Sequence, residues 1–226
     1  TRASSARIMN KIQIIVNNGA GTGSAVAVWK ETKEYLQENG ISYNAYLTRY
    51  EKHAVKLAGQ ICGKIPEGPI YLLVVGGDGT INEVLNGITD FDRVRLGVIP
   101  TGSGNDFARN LGILRDTRED LREITACIDQ EQNGEKLQRI DLGKVSWKGC
   151  EKPRIFGISA GAGLDAIVCK KALHSKLKKI LNRFHLGKLT YLMLTVQTLF
   201  SMRTFQANVT TDGETESYEN MIFAAA

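Results

Sequence analysis

Three glycines, a carboxylate and a hydroxyl fall within five residues in Gly76-Gly77-Asp78-Gly79-Thr80. Glycine at 76, 77 and 79 removes every Cβ that would hold a ligand off the backbone, and free N–H groups at a helix start attract phosphate. Asp78 breaks the simplicity of such an anion site. A carboxylate beside a phosphate is repulsive unless a cation or a transferable proton lies between them, which points to a magnesium-bound nucleotide or a hydroxyl about to react. In outline this is a phosphoryl-transfer site, although the same five residues alone also suit a tight turn with an Asx-type side chain.

The flanking residues say how the turn is positioned. Ile70 to Val75 has the length and β-branched content of a buried strand, and Ile81, Val84, Leu85 and Ile88 then recur at helical spacing. Thr80 and Glu83 form a Thr-x-x-Glu capping box, which predicts a helix starting at Thr80. The arrangement repeats downstream: Leu96 to Ile99 reads as a strand, Pro100 to Gly104 as a turn and Asn105 to Asn110 as a helix, with Ser103 and Asp106 as its cap. Two such turns are expected to face one another at the carboxyl edge of a parallel sheet, where open α/β folds bind ligands.

A third glycine-rich turn, Asn17 to Ser24, follows a strand at Lys11 to Val16 and precedes a helix carrying Val28 and Leu36. It is neither Walker A, which needs Gly-Lys-Ser/Thr, nor Gly-x-Gly-x-x-Gly, because Val26 stands at the last glycine position. The second strand, Tyr43 to Leu47, lacks the acidic residue that would hold a ribose, which argues against a dinucleotide dehydrogenase.

Together, Gly76-Gly77-Asp78-Gly79-Thr80-Ile81-Asn82-Glu83-Val84-Leu85-Asn86-Gly87 and Pro100-Thr101-Gly102-Ser103-Gly104-Asn105-Asp106-Phe107-Ala108-Arg109 closely resemble the lipid kinases of the diacylglycerol kinase, sphingosine kinase and ceramide kinase superfamily. The likeness is strongest to the soluble bacterial members and runs from about Lys11 to the end. NAD kinases share Gly-Gly-Asp-Gly-Thr, but the Asn-Glu-Val continuation and the Asn105 to Arg109 block belong to the lipid kinases. The resemblance implies ATP and Mg2+ as cofactors and a diacylglycerol-like lipid at a membrane surface as acceptor. It places the nucleotide at Asn17, Asn18, Gly19, Ala20 and Gly21, at Thr48, at Gly76, Gly77, Asp78, Gly79, Thr80, Ile81, Asn82 and Glu83, and at Gly102 and Ser103. Asp78 takes the catalytic role and a contact to magnesium. In the family the first turn commonly reads Asn-Pro-x-Ser-Gly-x-Gly; Asn17, Gly21 and Gly23 match, while Asn18 and Ala20 depart. Asp212-Gly213-Glu214 imitates the family's catalytic Asp-Gly-Glu, which lies closer to the C-terminus there, so a structural turn is expected. The general-base glutamate and an acidic magnesium cluster are then expected beyond Ala226. Two alternatives stay open: a nucleotide-binding module without catalysis, and an NAD kinase.

The expected fold class is α/β, with an N-terminal parallel-sheet nucleotide-binding domain like that of the NAD kinases, followed by the start of a β-rich, sandwich-type domain that reads as truncated. The expected domains are 1–10 as a loose terminus or artificial remnant, 11–130 as the catalytic domain, 131–136 as linker and 137–226 as an incomplete lipid-substrate domain. The 226 residues carry a net charge of +5, which suits anionic partners without choosing among them. Cys62, Cys127, Cys150 and Cys169 show no metal-ligand spacing, and no apolar run is long enough to span a bilayer. The reading is therefore a cytoplasmic protein, peripheral at the inner membrane face, with no nucleic-acid partner and a homodimer left open. Lys170 to Lys188 carries seven basic residues and no acidic one, interleaved with apolar residues at helical spacing, which fits either a membrane-surface helix or a solvated face. Leu189 to Met202 reads as a core helix. His53, His174 and His185 have no Ser or Cys partner that would support a triad.

Overall fold

The computed structural model describes residues 11–19, 24–113, 116–174, 187–211 and 213–226. Four strands, β1 (Ile12–Val16), β2 (Tyr43–Leu47), β3 (Ile70–Gly76) and β4 (Val94–Pro100), pair in parallel in the order β2-β1-β3-β4. The two central strands, β1 and β3, are buried at every position, as their uninterrupted apolar sequences require of strands covered on both faces. Alternate side chains of β3 enter two cores. Leu72 and Val74 pack with Ala54, Leu57 and Ile61 of α2 (His53–Lys64) and Ile81, Val84 and Leu85 of α3 (Asp78–Leu85). Tyr71, Leu73 and Val75 pack with Trp29 and Leu36 of α1 (Ser24–Glu38) and, beyond the short helix α4 (Asp106–Asn110), with Leu121 and Ile128 of α5 (Thr117–Gln132). Burial, and then the nearby Glu131 carboxylate, push the Tyr71 phenol pKa above its ordinary value.

Helix α5 begins where Asp116 accepts from the Arg118 and Glu119 amides, and it runs on to Gln132. A short antiparallel pair follows, β5 (Gly143–Val145) with β6 (Arg154–Phe156). Within residues 137–145 only Gly143–Val145 form a strand, where β6 supplies a partner. Asn86, just past α3, pairs with Ile155 of β6 in the manner of a strand: its Nδ2 donates to the Ile155 carbonyl at 2.8 Å, and its Oδ1 accepts from the Ile155 amide at 2.9 Å. Residues up to Ile158 form one compact unit and Ser159–Ala226 another.

Among the described residues the second unit has two helices, α6 (Leu164–His174) and α7 (Gly187–Ser201), and two antiparallel pairs. In one pair β7 (Gly161–Gly163) meets β10 (Phe223–Ala225); in the other β8 (Phe205–Thr211) meets β9 (Glu214–Met221). The chain is thus mixed α/β, with a parallel sheet first and small antiparallel sheets after it. Glu214 opens β9 opposite Thr211, beside Gly213 at φ +88°, and Asp212 lies outside the described residues. Of the basic stretch, Lys170 to His174 belong to α6 and Gly187 and Lys188 open α7, while residues 175–186 lie outside the described residues. Helix α7 differs from the core helix expected: Thr198 is buried and accepts from the Lys171 ammonium, while Leu192, Met193, Val196, Leu199 and Phe200 are exposed. An apolar sequence alone does not show which face of a helix has a partner. Among the described residues no helix is long and apolar enough to cross a membrane.

The junction of α2 and α3 depends on Gly87, where a Cβ would lie 2.2 Å from the Val55 carbonyl oxygen and 2.8 Å from the Ala58 Cβ. Gly87→Ala should destabilise the chain by about 1–3 kcal/mol through overpacking. In urea this appears as a lower midpoint at unchanged slope; an unchanged midpoint would contradict the packing described.

Candidate active site

The site is built where two strands end side by side. After β3, Gly77 occupies the N-cap of α3 in an extended conformation, and a Cβ on Gly76 would lie 2.7 Å from the Thr80 Cβ. After β4, the Thr101 amide donates to the Gly76 carbonyl at 3.0 Å, which stitches the second turn to the first. A Cβ on Gly77 would lie 3.0 Å from the Gly102 Cα, and one on Gly102 would lie 2.9 Å from the Gly77 Cα. The two glycine turns therefore touch, backbone to backbone, at the carboxyl edge of the sheet. Asn105 fixes the second turn: its Oδ1 accepts from the Gly102 amide at 2.8 Å and its Nδ2 donates to the Gly102 carbonyl at 2.9 Å. Asn105 itself is left-handed at φ 54°, a conformation asparagine tolerates better than most residues.

Asp78 joins the turns a second time. Its Oδ2 accepts from the Asp106 amide at 3.2 Å and its Oδ1 from the Phe107 amide at 3.1 Å, so it caps α4 from outside the helix. Neither cap expected from the sequence forms. Helix α3 starts at Asp78 rather than Thr80 and has no side-chain cap. The Thr80 hydroxyl instead accepts from Asn17 Nδ2 at 2.9 Å, and the Glu83 carboxylate accepts from the Lys52 and Ala54 amides at 2.9 and 3.1 Å. At α4 the N-cap residue is Asn105, Ser103 is exposed, and Asp106 pairs with Arg109 at 2.6 Å. A capping pattern in sequence shows which side chains can hold helix-start amides, not whose amides lie nearest in space.

Asn17 also accepts from the Gly19 amide through Oδ1, and its own amide donates to Val75 at the end of β3. The turn after β1 is thereby tied to the turn after β3 through Thr80. Asn18 Oδ1 and Thr101 Oγ1 are buried beside these turns without a hydrogen-bond partner among the described residues. Thr48 follows β2 on the same edge, its amide donating to the Val16 carbonyl. The Ile81 side chain lies in the core, and the Asn82 amide group faces the Ile155 carbonyl. Ala20 and Gly21 lie outside the described residues. His53 opens α2, stacked on Tyr50 at 4.3 Å, with its Nδ1 accepting from the Arg49 amide.

Gly79 behaves unlike its neighbours. Its Cβ position meets nothing within 4 Å and its backbone is ordinary, so the protein's own packing does not require glycine there. Helix geometry leaves the Asp78 and Gly79 amides without acceptors inside α3. Open backbone with unspent donors at a helix start is the cradle that nucleotide phosphates need. For magnesium, each Asp78 oxygen keeps a second lone pair after its amide bond. Among the described residues no group of three or more His, Cys, Asp or Glu side chains converges into a metal cluster.

A parallel α/β sheet with two interlocked glycine turns at its carboxyl edge is the kind of edge at which open α/β folds bind ligands. The chain belongs to the diacylglycerol kinase catalytic domain family, whose model matches residues 11–145. It is 30% identical over 213 residues to YtlR of Bacillus subtilis (strain 168), covering 93% of this chain and 66% of that protein. It is 34% identical over 176 residues to the diacylglycerol kinase of the same organism, covering 76% of this chain and 52% of the relative. A crystal structure of a diacylglycerol kinase from Bacillus anthracis shares the fold at TM-score 0.63 and 24% identity, over 95% of this chain and 63% of that one. The chain thus spans between about half and two thirds of the length of these relatives.

The sequence reading missed Asn105 and Lys52, both left-handed residues that shape loops at the site. Asn105 was signalled by its place three residues after Gly102, as a side chain able to close the turn on its own backbone. Asp78→Asn leaves one acceptor for two amides and sets an NH2 group against the other. It should cost about 1–3 kcal/mol of stability and speed hydrogen exchange at the Asp106 and Phe107 amides; unaltered exchange there would remove the cap from the account.

Proposed function

We propose that this chain carries the nucleotide site of an ATP-dependent lipid kinase that transfers the γ-phosphoryl group to the hydroxyl of a diacylglycerol-like lipid. The observation that carries this reading is Gly79: a glycine unexplained by packing, at a helix start, beside a carboxylate that joins two glycine turns. The Asp78 and Gly79 amides hold phosphate oxygens, the exposed Ser103 hydroxyl and Thr48 add donors, and the contact between the turns keeps these groups in register. Catalysis in phosphoryl transfer is mostly positioning and charge stabilisation, which is what such a rigid edge offers. Magnesium bound with ATP supplies charge neutralisation, and the outer lone pairs of Asp78 orient it or the attacking hydroxyl. On this reading residues 11–130 bind the nucleotide and 137–226 contribute to lipid binding, in a cytoplasmic enzyme that works at the inner membrane face. The diacylglycerol kinase names of the relatives support the acceptor class.

One observation favours a second reading. Both oxygens of Asp78 are engaged by amides, which suits a structural carboxylate in a nucleotide-binding module without catalysis.

One measurement tests the nucleotide site that both readings share, and a second separates them. Gly79→Ala should fold as well as the parent or gain up to about 1 kcal/mol from its higher helix propensity, yet lose affinity for magnesium ATP by at least about tenfold. Parent-like binding would refute the proposed phosphate cradle. Labelled γ-phosphate should appear in a lipid hydroxyl, tested with a diacylglycerol panel in mixed micelles and the full-length gene product. ATP binding with no labelled lipid would favour the module.

A further inference from the structure

Glu83 was expected among the nucleotide contacts, but its carboxylate is already occupied. One oxygen accepts from the Lys52 amide at 2.9 Å and the other from the Ala54 amide at 3.1 Å, across 31 and 29 residues of chain. Those amides belong to the start of α2, where helix geometry leaves the first N–H groups without internal acceptors. Lys52 is the N-cap and offers no side-chain cap of its own. It is also left-handed at φ 66°, where the Cβ of a lysine is crowded and glycine would not be.

The segment so held runs from the carboxyl end of β2 into α2. Its other hydrogen bonds and ring contacts run to β1, from the Thr48 amide to the Val16 carbonyl, and within the segment: the Arg49 amide to His53 Nδ1, the His53 amide to the Tyr50 carbonyl, and the Tyr50 ring stacked on His53. Glu83 supplies the hydrogen bonds to α3, the helix that begins in the turn after β3, while Ala54 packs in one core with Ile81 and Val84 of that helix. A carboxylate bridging two amides is a charge-assisted pair of bonds, strong enough to hold an unfavourable backbone conformation in place.

We propose that Glu83 is a positioning residue: it holds the Thr48–Ala54 loop in a strained conformation at the height of the glycine turns, so that bound nucleotide meets the loop and not the carboxylate. The second half of this statement rests on the nucleotide site proposed above. Strain at Lys52 and the two bonds from Glu83 oppose one another, and the loop stays in place because the bonds win. Removing one bond should release it, and removing the strain should restore it.

Glu83→Gln keeps one acceptor and turns an NH2 group toward the other amide. Amide-resolved hydrogen exchange should quicken by about tenfold or more at Lys52 and Ala54, and magnesium ATP affinity should fall in proportion to the lost population of held loop. Adding Lys52→Gly to Glu83→Gln should recover the affinity and the protection of the amide that keeps its acceptor, because glycine takes φ 66° without the steric penalty. Unchanged exchange in Glu83→Gln would overturn the loop-holding role. Exchange restored by Lys52→Gly with affinity still lost would overturn it in favour of direct contact between Glu83 and the nucleotide. The exchange measurements need no nucleotide, so a parent chain that failed to bind ATP would sink the proposed function while the exchange result still decided what Glu83 holds.

Discussion

The contact between Gly77 and Gly102 is the constraint on which this edge of the molecule depends. Each glycine stands where a Cβ would run into the backbone of the other turn, at 3.0 and 2.9 Å. Two strands that end in parallel neighbours bring their turns to the same edge, but only bare backbone lets those turns touch. From that contact α3 leaves the sheet, and residues along it and just past it find partners in three other segments, the turn after β1, α2 and β6. Thr80 meets Asn17, Glu83 meets the start of α2, Asn86 meets β6, and Gly87 lies against α2.

The polar residues of α3 are thus mostly in the service of other elements' backbones. Asp78 and Glu83 each satisfy two amides of a different helix, so carboxylates that the sequence suggests for chemistry also hold the scaffold. This double use has an energetic logic. Helix-start amides left without acceptors in a packed interior are costly, and a charged acceptor is among the stronger ways to satisfy them. It also means that loss of activity in an Asp78 variant is ambiguous by itself. Gly79 is the cleaner probe, because nothing in the fold leans on it.

Much of the sheet was legible in the sequence. Strand β2 begins and ends at the residues expected, β1, β3 and β4 extend or shorten by one or two, and the two glycine turns meet as their shared position after parallel strands required. Buried strands announce themselves because both faces must be apolar, and glycine turns because no other residue allows such close approach. The family resemblance rested on the same residues and is upheld by the match over 11–145. The caps were not legible. Thr80 and Glu83 have the spacing of a capping box, yet their partners lie 63 and about 30 residues away, and local pattern carries no information about such distant amides. The exposed stripe on α7 was hidden for a related reason: its residues are as apolar as a core, and only the placement of α6 decides which face is covered. Lys52 gave no signal, since its left-handed backbone is held by a side chain on another helix.

Whether the paired glycine turns cradle phosphate can be read from backbone amide resonances as magnesium ATP is added to the chain. The largest shifts are expected at Gly77, Asp78 and Gly79 and at Ser103, Gly104 and Asn105, with β5, β6 and α5 little changed. Largest shifts on α5 or within Ser159–Ala226, or none at saturating nucleotide, would contradict the cradle.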